Sequence, residues 1–397
     1  MRRRLFLAFL TLLAPAIPVH AQSASPSAKA TVQDIVTFLV TNQGVATSDF
    51  DKDRAAADAT RTTLSNALLA SIATVPISSS SSGFSYRLNP TLGTVERASL
   101  TFGPLYVERA LTGGAGQASL GFTVQYAKFA SLDGNDLRNG SFVTVANQFR
   151  DEPAPFDTET LTLDIQTRTA TFVGNIGVTD RVDVGAAVPL VQLNISGARV
   201  NDYRGTELLQ ARATAETMGL GDIAVRSKIR LTADGPGVAA VGVEARLPTG
   251  HEEDLLGTGE LALRFSGLGS YEAGVTSVYG NVTLGTGGIG REISYGAAVA
   301  VAASSRVTVI GELLARHIDG LDRIAPVAAP HPRISGVDTI RLVPTGEVET
   351  TAFGVAGIKW NVGGTWLLHA HVLMPLIENG LTAQFTPTIA IEHTFGK

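Results

Sequence analysis

The sequence predicts an all-β fold, namely a transmembrane antiparallel β-barrel of about 12–14 strands with a short helical N-terminal extension. Three observations predict it: an export signal at the N-terminus, a two-residue alternation of apolar and polar residues from Gly83 onward, and connections that alternate between short and long. The hydrophobic fraction of 44% and the mean hydropathy of +0.19 are high for a chain with no long apolar stretch after residue 21. Because lipid leaves no water to pair with an open sheet edge, we expect the sheet to close into a barrel.

The first 21 residues have the order of an export signal. Arginines occupy positions 2–4, an apolar run covers residues 5–19, and small residues lead to Ala21. This order predicts a signal peptide at residues 1–21, so we expect a mature chain that is exported to the bacterial cell outer membrane, by way of the periplasm. The chain has no cysteine, so the predicted fold needs no disulfides in a compartment that would permit them.

Residues 22–82 are predicted to form a helical extension that ends in a Ser-rich linker at 78–82. Two stretches have apolar residues at helical spacing: Val32, Ile35, Val36, Leu39 and Val40 in the first, and Leu64, Leu68, Leu69 and Ile72 in the second, which covers about 53–74. Two placements are open, because a helix with one apolar face can dock under the barrel or insert into its lumen as a plug.

Residues 83–397 are predicted to form the barrel. In its clearest strand Leu120, Phe122 and Val124 share one face, while Ser119 and Thr123 share the other. Similar segments give about fourteen strands. Their centres lie near residues 86, 101, 122, 170, 187, 226, 242, 263, 280, 298, 311, 355, 371 and 388.

The connections between these strands alternate in length. The short turns are at 113–116, 179–181, 233–237, 270–274, 304–306 and 363–365, and the long polar loops are at 131–157, 197–217, 249–259, 285–293 and 316–349. Outer-membrane barrels have short turns on the periplasmic side and long loops outside. The asymmetry therefore favours a barrel and an even number of strands.

Charged residues alternate with apolar ones in three consecutive predicted strands. A slip of one residue would turn the arginines and the lysine of the first strand toward lipid, at roughly 2–4 kcal/mol each. We therefore predict that this charged ladder lines the lumen: Asp222, Arg226, Lys228, Arg230, Glu244, Arg246, Glu260 and Arg264. The ladder is either a polar, ion-tolerant path or internal glue that rigidifies the barrel. The alternative is the solvated face of a soluble antiparallel sheet.

Other candidate sites are weaker. His369 and His371 alternate with apolar residues and are predicted to point into the lumen, where they form satisfied hydrogen bonds or share a metal, although no third ligand is evident nearby. Residues 285–290 have the glycine spacing of a dinucleotide-binding loop, but a strand follows where that motif needs a helix. No nucleophile elbow is present, so we expect no enzyme, no cofactor and no metal. The net charge of -5 argues against a nucleic-acid partner.

Four short segments resemble a known family. Residues 219–222 (GLGD) lead into 228–231 (KIRL), residues 247–250 (LPTG) close the next strand, and residues 184–189 (VGAAVP) follow a turn. Together, over roughly 160–395, they resemble the outer-membrane barrels named for the MetA pathway of phenol degradation. The resemblance implies a barrel in the style of the channels for fatty acids and aromatic hydrocarbons, with no catalytic residues to carry over. Two departures are that Ile229 follows the lysine where an aromatic is common, and that Phe395 does not end the chain.

The function that these observations predict is passive passage of small molecules, including apolar ones, through the barrel. The expected partners are outer-membrane lipid, a small-molecule permeant and the barrel-assembly machinery. Two alternatives are a structural or surface-interaction barrel that acts through its long extracellular loops, and a secreted soluble β-sheet protein.

Overall fold

The structure of the chain is a computed structural model that describes residues 30–42, 54–73, 79, 83–89, 94–233 and 235–396. The predicted signal peptide at 1–21 and most of the predicted Ser-rich linker lie outside the described residues. Neither described helix is long and apolar enough to cross a membrane.

Eighteen strands and two α-helices make up the described fold. The elements are α1 (Val32–Thr41), α2 (Arg54–Ala73), β1 (Tyr86–Asn89), β2 (Thr94–Arg97), β3 (Ala118–Leu132), β4 (Asn135–Asp136), β5 (Val143–Phe149), β6 (Asp157–Thr179), β7 (Val182–Tyr203), β8 (Thr206–Leu220), β9 (Ile223–Arg230), β10 (Gly237–Leu247), the 3₁₀ helix η1 (Glu252–Asp254), β11 (Ala262–Ala273), β12 (Thr276–Gly287), β13 (Arg291–Ser304), β14 (Val307–Pro330), β15 (Val337–Gly363), β16 (Trp366–Pro375), β17 (Leu381–Ala383) and β18 (Thr386–Phe395).

Twelve of these strands form a closed antiparallel barrel. Around the wall their order is β3, β6, β7, β9, β10, β11, β12, β13, β14, β15, β16 and β18. The last strand, β18, pairs with the first, β3, and β3 also pairs with β6, so the ring has no open edge at this level. The all-β barrel predicted from the sequence is confirmed.

The strand count is smaller than fourteen because two predicted strands are not part of the wall. The prediction of barrel strands near residues 86 and 101 was wrong: β1 pairs only with β2 in a separate hairpin, and residues 98–117 contain no described strand. The other twelve predicted centres fall in the twelve wall strands, of which the first begins at Ala118.

The connections differ from the prediction at one end of the barrel. The predicted short turns lie together at what we call the short-turn end. At the opposite end the predicted long loops at 197–217 and 316–349 are largely paired strands, because the β7–β8 and β14–β15 hairpins extend through them. The segment predicted as a loop at 316–349 lies largely in β14 and β15, and its turn covers only residues 331–336. We call this end the long-hairpin end.

A continuous apolar belt surrounds the barrel. Its side chains point outward and are exposed, as shown by Phe172 and Ile176 on β6 and by Ile389 on β18, whose exposed fraction reaches 66%. On β6 the outward apolar run extends from residue 170 to residue 178, which matches the roughly 9–11 residues that a tilted strand needs to cross a bilayer.

Above this belt the outward side chains of the wall become polar and the inward side chains become apolar. On β7 the outward residues change from Val188 and Leu190 to Gln192 and Asn194, while the inward residues of the same upper half include the fully buried Leu193. The paired strand β6 changes at the same level, since its residue 170 pairs with Leu190. Toward the long-hairpin end the barrel is therefore polar outside and apolar inside, as a water-soluble protein is.

The helix α1 fills part of this apolar interior. Its buried residues are those predicted from the sequence: Val32, Ile35, Val36, Leu39 and Val40. They pack in one cluster with inward residues of the upper wall, including Leu163 and Leu193. A capping box of Thr31 and Asp34 begins the helix, and the carboxylate of Asp254, the last residue of η1, accepts a hydrogen bond from the Val32 amide (3.3 Å).

The helix α2 lies at the same end and buries the predicted residues Leu64, Leu68, Leu69 and Ile72 in the same cluster. It packs against α1, β14, β15 and β17, and the hydroxyl of Ser71 accepts a hydrogen bond from the Leu381 amide (3.3 Å). Both helices thus lie among the wall strands at the long-hairpin end, and neither is docked under the short turns.

Candidate functional site

A loop of the N-terminal region occupies the lumen near the short-turn end. We call residues 98–113 the lumen loop; most of its residues are buried, including Phe102, Tyr106 and Arg109. Both of its ends lie near the short turns, since the Ser99 hydroxyl donates to Glu272 (2.6 Å) beside the β11–β12 turn and the Gly113 amide donates to Asp183 (3.1 Å) beside the β6–β7 turn. Its apex, around Tyr106, therefore points up the lumen.

One carboxylate of the wall holds the apex. The Glu312 side chain on β14 accepts hydrogen bonds from three consecutive backbone amides, those of Leu105, Tyr106 (2.9 Å) and Val107 (3.2 Å). Hydrogen bonds to an ionised acceptor are stronger than those between neutral groups, and a buried amide without a partner is costly. Glu312 therefore fixes the height at which the lumen loop sits.

Two lysines hold backbone carbonyl groups of the same loop. Lys359 on β15 donates to the carbonyls of Phe102 (3.3 Å) and Pro104 (2.6 Å). Lys228 on β9 donates to the carbonyls of Arg109 (2.9 Å) and Leu111 (2.8 Å), and its ammonium group also lies 3.6 Å from the carboxylate of Asp183. Charges on opposite sides of the wall thus supply the partners that an irregular loop inside a barrel lacks.

The two predicted histidines lie beside the loop apex. His369 and His371 are buried inside the barrel with parallel rings whose centroids are 5.9 Å apart. Nε2 of His371 is 3.0 Å from the hydroxyl of Tyr106, whose ring packs edge-on against the imidazole. Among the described residues no group of three or more His, Asp or Glu side chains could hold a metal ion. His371 thus packs against Tyr106 of the lumen loop, and His369 stacks on His371.

Above the loop apex the wall carries a network of ion pairs. Glu244 on β10 lies directly between Arg226 on β9 and Arg264 on β11 in the strand register. Its carboxylate contacts three guanidinium groups, those of Arg226 (2.6 Å), Arg246 (2.8 Å) and Arg264 (3.3 Å). Arg226 also reaches Glu108 of the lumen loop at 3.4 Å, so the network joins the wall to the loop.

A glycine lets this network extend across a further strand. Gly285 on β12 pairs with Arg264 on one side and with Glu292 of β13 on the other. A Cβ atom at Gly285 would lie 3.2 Å from the Glu292 Cβ and 3.3 Å from the Arg264 Cγ. Because that space is empty, Arg264 reaches over β12 and pairs with Glu292 at 2.6 Å.

These residues border a cavity of about 200 Å³. Its lower side is formed by Tyr106 and Glu108 of the lumen loop, and its charged side by Arg226, Glu244, Arg246, Arg264 and Glu292. Leu268, Leu314 and Phe353 line part of the remaining surface, which also includes Ser266, Asn281 and Arg316.

The predicted ladder is only partly assembled in this network. Arg226, Glu244, Arg246 and Arg264 lie together at the cavity, where Arg226 pairs with Glu244 across neighbouring strands. Lys228 also borders the cavity and binds the lumen loop, and Arg230 is half-buried at the short-turn end of β9.

Two residues of the ladder have other positions. The Asp222 carboxylate is buried between β8 and β9, where it accepts hydrogen bonds from the amides of Gly250 (3.1 Å) and Thr258 (2.8 Å). The prediction that Glu260 lines the lumen was wrong. Glu260 is exposed and precedes β11, which begins at Ala262. The physical reason is that Asp222 holds the chain at Thr258 in a loop, so strand pairing starts later than the alternation predicted.

The sequence interpretation missed several inward charges that act at this site. They are Glu108, Asp183, Glu292, Glu312 and Lys359. Asp183, Glu312 and Lys359 alternate with apolar neighbours in wall strands, so the signal that identified the ladder was present there as single charges. Glu292 follows Arg291 at the start of β13, where the alternation is not clear. Glu108 lies in the lumen loop, which has no periodicity that would have identified it.

Comparisons with known proteins find solved structures with related folds but no matching family model or curated sequence. No protein-family model matches the sequence and no curated protein matches it, so the resemblance to the MetA-pathway barrels stays a prediction. Among solved structures, the COG4313 outer membrane channel from Pseudomonas putida F1 has 13% sequence identity and a TM-score of 0.46, covering 72% of this chain and 98% of that one. The Ralstonia pickettii toluene transporter TbuX has 11% identity and a TM-score of 0.30, covering 72% and 91%. The outer membrane protease OmpT from Escherichia coli has 10% identity and a TM-score of 0.24, covering 70% and 96%. None of their activities is carried over to this chain.

Proposed function

We propose that the protein is an outer-membrane barrel whose lumen passes small molecules. The apolar belt supports the location, because a ring of exposed residues such as Phe172 and Ile389 would be unfavourable in water. A secreted soluble sheet protein would bury this face, whereas a membrane barrel presents it to acyl chains.

The observation that carries the transport proposal is the cavity above the lumen loop. It lies inside the closed wall, is lined by a network of ion pairs, and has polar side chains such as Ser266 and Asn281 on its surface. A barrel that served only as a scaffold could fill this space with packed side chains, as small barrels do. The charge network thus has two roles, since it rigidifies the wall and keeps a polar space within it.

The path through the barrel is narrowed by the protein's own N-terminal region. The lumen loop lies below the cavity and the helices lie at the long-hairpin end, so passage requires the permeant to move between these parts or requires one of them to shift. We therefore expect a low conductance and a small size limit.

Planar-bilayer conductance of the purified protein tests the proposal. Ser266 points toward the cavity, whereas its neighbour Phe265 points outward and is 53% exposed. We expect small steps of conductance in the wild type, a clear reduction in Ser266→Trp and no change in Phe265→Trp. Absence of any conductance or solute flux in folded wild-type protein, or an equal effect of the two substitutions, would overturn the proposal.

A further inference from the structure

The guanidinium group of Arg246 borders the cavity, and the ion-pair network provides an acceptor for only part of its N–H donors. Its side chain is 7% exposed, and its Nε donates to Glu244 at 2.8 Å. Within the described part of the chain its Nη1 and Nη2 have no hydrogen-bond partner, and the residue borders the cavity. Four N–H donors of a buried cation thus face an internal space.

The neighbouring charges leave an excess of donors at this point. Glu244 is shared by three guanidinium groups, and the other acidic partner of Arg264, Glu292, is already engaged at 2.6 Å. A carboxylate accepts at about four lone-pair positions, whereas each guanidinium carries five N–H donors in a planar fork. The fork matches a carboxylate through two parallel hydrogen bonds.

The cavity also has an apolar part. Leu268, Leu314, Phe353 and the ring of Tyr106 contribute to it, while Arg316 and Thr351 border the cavity beside Leu314 and Phe353. The volume of about 200 Å³ is below the range of roughly 300–1,000 Å³ typical of drug-sized ligand sites, so the space suits one small ring or a short chain. The guanidinium groups and the apolar side chains of the cavity together suit a molecule with an anionic head and an apolar body.

We propose that the cavity is a binding site for small organic monocarboxylates, with the carboxylate on the free edge of Arg246 beside Arg264 and the apolar body against Leu268, Leu314 and Phe353. The inference rests on the proposed function, because it names the class of molecule that the lumen takes. It also narrows the sequence-based expectation of small molecules, including apolar ones, to molecules that carry a carboxylate.

Isothermal titration calorimetry on the full-length protein in detergent tests this site without requiring transport. The probes are benzoate, the neutral benzamide and the cation benzylammonium, which have similar apolar bodies. We expect benzoate to bind the wild type at least tenfold more tightly than benzamide, with benzylammonium weaker still. Equal binding of benzoate and benzamide would overturn the inference without any substitution having been made.

Substitutions then locate the site. Arg246→Gln is expected to weaken benzoate binding at least tenfold and to leave benzamide binding unchanged, whereas Arg246→Lys retains part of the preference for the anion. The matched control is Arg168→Gln, since Arg168 points outward and is exposed. Folding of each variant is checked by its electrophoretic shift on boiling in detergent. Unchanged benzoate binding in a folded Arg246→Gln protein would overturn the assignment.

Binding and conductance separate this inference from the proposed function. Benzoate binding without measurable conductance would support the site and contradict a channel. Conductance without a preference for benzoate would support the channel and contradict the site.

Discussion

The guanidinium group of Arg199 on β7 donates a hydrogen bond to the backbone carbonyl of Val40, in the last turn of α1. It donates a second one to the carbonyl of Asn42 and lies 3.7 Å from the carboxylate of Glu159 on β6. Burial lowers the pKa of Arg199 to about 10, which still leaves it charged at neutral pH. A wall residue thus satisfies the terminal carbonyls of the helix and places a positive charge at its negative end.

Substitution of Arg199 should therefore release α1. Arg199→Met removes both hydrogen bonds and leaves Glu159 buried without this cation, a type of change that costs about 3–5 kcal/mol. Hydrogen exchange in lipid nanodiscs should show much faster exchange of the α1 amides. Arg212→Met, at an exposed outward position of β8, is the control and should leave α1 protected. Equal protection in the two variants would contradict the role of Arg199.

The attachment of the lumen loop should depend on Glu312. Glu312→Gln replaces a charged acceptor of three amide bonds by a neutral one, and charged hydrogen bonds contribute about 1.5–3 kcal/mol. We expect the amides of residues 105–107 to exchange roughly 10–100 times faster and the conductance to rise. Glu207→Gln, on the exposed part of β8, should change neither. Unaltered exchange at residues 105–107 would show that packing alone holds the loop.

The apolar belt should not tolerate charge. Ile389→Arg places a guanidinium group at a highly exposed belt position and should lower the free energy of unfolding in lipid vesicles by about 2–4 kcal/mol. Thr214→Arg, at an exposed outward position of β8 above the belt, should have little effect. Urea titrations of both variants in vesicles measure the difference. A similar stability for the two would mean that Ile389 does not contact acyl chains.

A carboxyl group above the belt should make stability depend on pH. Glu349 on β15 is buried, and burial raises its pKa from 4.5 to about 7, although nearby Arg316 opposes the change. The folded protein therefore holds a proton that the unfolded chain releases near pH 4.5. The stabilising contribution is complete below that pH and is lost as the pH rises to about 7.

Glu349→Gln removes this dependence because the amide stays neutral. At pH 8 we expect the variant to be more stable than the wild type by about 3 kcal/mol, and at pH 4 to be equal to it. Glu253→Gln, at an exposed position in η1, should follow the wild-type curve. Parallel stability curves for Glu349→Gln and the wild type between pH 4 and pH 8 would contradict the assignment.

The wall of the barrel could be predicted because the direction of each side chain in a strand depends only on its position among its neighbours in sequence. Alternate side chains of a strand point to opposite faces, so the outward Leu120 and the inward Ser119 follow from their order in the chain. The buried faces of α1 and α2 follow in the same way from helical spacing.

The contents of the lumen could not be predicted in this way. The partners of the lumen loop are distant in sequence, as with Tyr106 and Glu312, and no periodicity marks a loop whose backbone groups are satisfied by side chains of the wall. Because the sequence has no signal for such a loop, a strand was predicted near residue 101. The same lack of signal explains why the hydrogen bonds of Lys228 to the carbonyls of Arg109 and Leu111 were not predicted.

The two helices and the lumen loop lie inside the ring that the later strands form. α1 and α2 lie at the long-hairpin end, whereas the chain enters β3 at the opposite end. The described parts of the N-terminal region, from α1 to the lumen loop, therefore lie along the length of the ring. The pairing of β3 with β18 encloses them, so the wall closes around a core made of residues that precede its first strand.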